Sequence, residues 1–347
     1  MPKTTGAAAV AEKPTDALWL AALPTPNIAV VGARLPEPVA PEPGRGVVSG
    51  LPAAATDLAL SADGRHLVAA HHGADAVSII DAVDLTVRAT VGGVAEPCAL
   101  AVSDRVYVTS AANAEDAVVA IDIDLGTVLG AREINAHVRG LASDPDGDTL
   151  FAARCGDTAD IASIDVESGT LRTIPVSDAT GATVDAVRMN ADGTRLFASL
   201  ITDAGDAVVV IDVRAGRVVH SVAVSGSIAD IAVHRDGRRV VASGWDPNLG
   251  GVLSVIDTAA GRVIDTVATG ALGVQVALTA DHAYVLAGDE VIVVDIATPR
   301  VVETIDTGRP AACLAVNPAG TRLYIAGYDG VVEARAITGD SQLRAAS

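Results

Sequence analysis

The chain has 347 residues, and its 24 basic against 43 acidic side chains give a formal net charge of −19. A surface of that sign repels a polyanion instead of releasing its counterions, which excludes nucleic acid as a partner. Half of the residues are hydrophobic but only 2% are aromatic, so the core must be built from Val, Ile, Leu and Ala, a composition that favours strands.

Residues 1–44 read as a Pro-rich arm. Pro24, Pro26, Pro36, Pro38, Pro41 and Pro43 punctuate two short apolar stretches, 17–23 and 28–33. Glu12 and Asp16 interrupt the apolar character, so no signal peptide is expected. The stretches suit an extra rim hairpin or an extended docking arm. No apolar run anywhere reaches the roughly 20 residues of a membrane-spanning helix.

A strand at 45–50 follows, with no neighbour in its own stretch of chain. From residue 58 onward a unit of about forty residues repeats. The first unit reads as strand 58–60, a turn at Asp63, strand 66–70, loop 71–75, strand 76–81 and strand 86–91. Most later units carry the same two markers. One is an apolar strand ending in aspartate, at Asp81, Asp122, Asp165, Asp212, Asp257 and Asp295. The other is a tight polar turn, as at Asp63-Gly64, Asp146-Gly147, Asp192-Gly193, Asp236-Gly237 and Ala319-Gly320, where glycine supplies the positive φ. Degraded turns at Ser103-Asp104 and Ala280-Asp281 complete seven units. The last unit supplies strands 313–316, 322–326 and 331–336 and then runs into a polar tail, so it lacks a fourth strand. The strand at 45–50 is expected to fill that place and close the ring, which removes a sheet edge. The expected fold is all-β: a seven-bladed β-propeller of four-stranded antiparallel blades over 45–338, between the arm 1–44 and the tail 339–347.

This pattern of polar Gly turn, apolar strand, acidic loop and apolar strand ending in Asp resembles the YVTN propeller family over residues 45 to about 337. The resemblance implies a binding platform more often than an enzyme. Lysine is confined to Lys3 and Lys13, and Ala, Val, Gly and Asp are in excess, as in a GC-rich actinobacterial genome. With the single-domain form, this is similar to mycobacterial propellers linked to the cell envelope. That likeness implies a protein partner, a membrane transporter or envelope-assembly component of the MmpL lipid-export type. It implies a cytoplasmic chain, peripheral to the inner membrane through that partner.

The residues themselves point the same way. Confinement of lysine excludes a P-loop, and no GxSxG elbow is present, so no catalytic residue or cofactor is assigned. Cys98, Cys155 and Cys313 are odd in number and far apart, which fits neither a disulfide framework nor a zinc site. The blade-ending aspartates are read as caps of turn N–H groups. Asp144 to Asp148 lacks the spacing of a calcium loop and is read as an ordinary turn. Partner binding is assigned to loops on one face, with Trp245, Asp246, Asn248, Arg154, Tyr328, His71 and His72 as candidates, Trp245 as the anchor. Loops leading into the blades bring Glu96, Arg139, Asp185, Asp230, Gln275 and Arg309 to the channel mouth. The competing expectation is a metal-dependent lactonase or hydrolase, or a small-ligand sensor, with a divalent ion on His71, His72 and His137.

Overall fold

A computed structural model describes residues 45–337, apart from 113, 114, 135, 157 and 158. The expected arm and tail, and the loop residues Asn113 and Asp157, lie outside the described residues.

The described chain forms seven four-stranded antiparallel sheets. Blade 1 consists of Asp57–Leu60, His66–His71, Ala76–Asp81 and Val87–Gly92, each strand pairing with the next. Blades 2 to 6 repeat this meander. Blade 7 takes Ala311–Val316, Arg322–Gly327 and Val332–Ala336 from the end of the chain and Arg45–Val48 from its beginning. Arg45 lies opposite Arg335 and Val48 opposite Val332, so the strand at 45–50 does close the ring. The one described helix is a 3-10 turn, His72–Ala74.

Turn chemistry fixes each hairpin. Between the first and second strands a polar side chain closes the turn, as where Asn190 Oδ1 accepts the Arg195 N–H at 2.9 Å ahead of Gly193 at φ 71°. Asp144 does the same for Thr149 at 3.1 Å, the ordinary turn that its sequence suggests. Between the third and fourth strands the blade-ending aspartate caps the next loop. Asp81 Oδ1 accepts the N–H groups of Val83 and Asp84, both at 2.9 Å, and Asp122, Asp257 and Asp295 repeat this pattern.

There is no single core. Seven apolar clusters form instead, each a wedge drawn from two neighbouring blades. The scarce aromatic residues have one place in them. Counting from its start, the third residue of the second strand is Val68, Tyr107, Phe151, Phe197, Val241, Tyr284 or Tyr324. Both phenylalanines and three of the four tyrosines of the chain thus occupy this slot. All five are buried there.

Candidate functional site

The innermost strands surround a central channel. Each contributes an apolar anchor turned into a wedge: Leu58, Leu100, Leu141, Val187, Ile231, Val276 and Leu314. The residue after the anchor faces the channel. It is alanine in six blades, Ala59, Ala101, Ala142, Ala232, Ala277 and Ala315, and arginine in blade 4, Arg188. Below this level the wall is Leu60, Val102, Ser143, Met189, Val233, Leu278 and Val316, around a cavity of about 540 Å³.

In blades 1, 5 and 6 the residue before the anchor ties one inner strand to the next. Asp57 Oδ2 accepts the Leu100 N–H at 2.9 Å, Asp230 Oδ2 accepts that of Val276 at 3.0 Å, and Gln275 Oε1 accepts that of Leu314 at 2.6 Å. Arg188 Nη2 donates to Asp230 Oδ1 at 2.8 Å and Nη1 to the Val187 carbonyl at 3.0 Å. Burial pushes the Asp57 carboxyl up to about 6, against the Leu100 N–H and the Arg188 charge that favour its anion. Burial raises Asp230 as well, with Arg188 again opposing. Above this layer a second cavity, of about 380 Å³, opens to the loop face with Arg139, Asp185, Cys98, Val274 and Tyr328 on its wall. Of the six residues expected at the mouth, Arg139, Asp185, Asp230 and Gln275 line it. Arg309 turns instead to Asp329 and Glu333, at 3.5 and 3.9 Å. Glu96 is held by its N–H on Asp75 Oδ1 at 2.9 Å.

The partner candidates divide. Trp245 and Tyr328 are exposed, 43% and 67%, and His72 and Asn248 are exposed too. Trp245 also folds back on its own blade, since a Cβ at Gly250 would meet its ring at 3.7 Å. Three candidates are corrected. His71 is not in a loop: the second strand of blade 1 runs one residue further than its sequence suggests and carries His71 into the blade interior at 0% exposure. Its Nδ1 is bonded to the Ala53 carbonyl and Nε2 to Ser78 Oγ, both at 2.9 Å, and burial lowers its pKa. Asp246 is a turn cap, buried while it accepts the N–H groups of Asn248 and Leu249 and the Ser225 hydroxyl. Arg154 is spent inside blade 3 on Asp160 at 2.6 Å and Thr173 at 2.9 Å.

The expected metal ligands are not brought together. His71 is buried as described, His72 Nδ1 lies 3.6 Å from Cys98 Sγ, and His137 Nδ1 lies 3.5 Å from Asp116. Among the described residues no three His, Cys, Asp or Glu side chains are grouped to hold a metal ion.

Sequence reading passed over Leu249, Leu272 and Val274, which are exposed on the same loop face as Trp245 and Tyr328. It also passed over Arg188, visible once the inner strands are set in register as the single interruption of an alanine series.

Seven meanders around an open channel, closed by strand exchange between the chain ends, define a seven-bladed β-propeller, and the chain belongs to that family. It is 32% identical over 319 residues to the seven-bladed β-propeller protein Rv1057 of Mycobacterium tuberculosis, across 81% of each chain. Among solved structures it is similar to hydrazine synthase of Kuenenia stuttgartiensis, with a TM-score of 0.72, 22% identity, and 84% of this chain and 98% of that chain covered. The β-propeller domain of Cps50 (Swd1) from Myceliophteria thermophila gives 0.70 at 15% identity over the same shares. At those identities the likeness is one of fold. No family model matches the chain.

Proposed function

We propose that the protein is a non-catalytic scaffold that binds another protein through the loop face of blades 5 to 7. The observation that carries this reading is the gathering there of Trp245, Leu249, Leu272, Val274 and Tyr328, all at least 43% exposed. Large apolar side chains exposed together on one face mark an interaction site. Trp and Tyr are also the residue types that anchor interfaces. The partner class is a membrane transporter or envelope-assembly component of the MmpL type, which rests on the sequence resemblance and agrees with a mycobacterial relative. In this reading the chain works in the cytoplasm, at the inner membrane only through its partner. No helix among the described residues is long and apolar enough to cross a membrane.

The test is affinity capture from the native host in mild detergent, comparing wild type with Trp245→Ala/Tyr328→Ala. Both residues are exposed, so the variant should melt as wild type does. A stoichiometric transporter recovered with wild type and lost with the variant is the expected result. A partner retained by the variant would move the interface off this face.

A further inference from the structure

A sevenfold fold contains its own control. Six blades place alanine at the channel-facing position, so alanine suffices to build the wall, and packing gives blade 4 no reason to hold Arg188 there. Arg188 instead answers a charge problem: Asp57 and Asp230 both stand in this layer as interblade ties. Its guanidinium is bonded to Asp230, leaving two carboxylates to one cation. The upper cavity does not restore the balance, because Asp185 and Arg139 on its wall offset each other. Asp57 is hydrogen-bonded to the N–H groups of Leu58 and Leu100, both at 2.9 Å, and to the amide of Gln275, at 3.5 Å, and the Arg188 charge that also favours its anion is shared with Asp230. It lies on the wall of the lower cavity of about 540 Å³, where Asp57 and Arg188 are the charged lining residues and alanine and larger aliphatic side chains form most of the rest.

We propose that this channel binds a small organic monocation, an apolar body with one ammonium head, with the head on Asp57 and the body against the alanine level. A cavity of several hundred Å³ with apolar walls and a few convergent polar groups is the usual form of a small-molecule site. Burial of an uncompensated carboxylate is costly, and a cation that enters with its own apolar surface removes that cost. An anion of the same shape meets Asp57 as a like charge. A neutral isostere gains the wall contacts without the charge. The site lies below the loop face and is independent of the scaffold reading.

The test is isothermal titration calorimetry of the full chain with benzylammonium, and with benzyl alcohol and benzoate as isosteres. Benzylammonium should bind one to one, with the alcohol and the acid weaker by about tenfold or more, the scale of one charge-assisted hydrogen bond. Asp57→Asn should erase that preference. Because Asp57 also ties blades 1 and 2, Ala277→Leu serves as the second variant: it leaves Asp57 in place, fills the channel, and should abolish binding. Equal affinity for the ammonium and the alcohol, an ammonium preference that survives Asp57→Asn in folded protein, full binding by Ala277→Leu, or no saturable heat at millimolar benzylammonium would each overturn the proposal.

Discussion

Leu85 adopts a left-handed backbone at φ 57°, in the turn between the third and fourth strands of blade 1. The equivalent residue in blades 2 to 5 is Gly126, Gly169, Gly216 or Gly261, with φ between 60° and 66°. A non-glycine residue there costs about 1 kcal/mol. What repays it is a contact that no other blade needs. Leu85 packs into the wedge between blades 7 and 1, and its Cδ1 takes the place where a Cβ on Gly46 of the closing strand would stand. Leu85 therefore pins the strand that closes the ring. Gly46→Ala is expected to cost about 1 kcal/mol in the wild-type background, because Leu85 must turn aside. It should cost far less beside Leu85→Gly, and urea denaturation of the double-mutant cycle should give a coupling near 1 kcal/mol. Additive effects would mean that the two residues act separately.

At the scale of the element, the closing strand is four residues long and buries Val48 at 3% exposure. Deleting residues 1–51 strips Val332–Ala336 of its outer partner and opens the wedge between blades 7 and 1. Loss of one buried Val and a short ladder is worth roughly 3 to 5 kcal/mol. For a chain of this size that lowers the melting temperature by about 5 to 10 °C. Deleting only residues 1–44 keeps the strand, and differential scanning calorimetry should find that variant close to the full chain. Equal melting of the two deletions would show that closure does not need the strand. The closing strand was legible in the sequence because a unit short of one strand and an orphan strand near the other end can satisfy each other. Blade count was legible too, since turn glycines and capping aspartates are chemically distinctive. The end of a strand was less so. In blade 1 the second strand is buried on both faces, with no polar alternation to mark where it stops, and His71 was read as loop. Asp246 was misread for the converse reason: a capping aspartate on the loop face has the same sequence signature as an exposed one. The channel site was hidden because its members come from different blades, and an Arg among alanines stands out only when all seven strands are aligned.

Across the whole molecule two sets of aspartates pull stability in opposite directions with pH. The turn caps Asp81, Asp165, Asp212 and Asp295 are depressed. Asp81 is held at about 2 by the Asp84 N–H and the Arg88 guanidinium, so its contribution is complete above its unfolded value of 3.8 and is lost as pH falls toward 2. Asp57 is raised to about 6, so the native state binds the extra proton between 3.8 and 6 and stability falls as pH climbs through that window. The melting temperature should therefore peak on the acidic side of neutrality. Asp57→Asn should flatten the decline between pH 4 and 6 and leave the acid limb in place, and a decline of unchanged slope would assign it to other groups. The shared aromatic slot has a consequence of an optical kind. Three tyrosines and both phenylalanines are sealed in the wedges, whereas Trp245, the only indole among the described residues, stands on the loop rim with Tyr328. Near-ultraviolet dichroism of the tyrosines follows the integrity of the blades, and emission from that indole follows what lands on the rim, so the protein carries one native reporter for its fold and another for its occupancy.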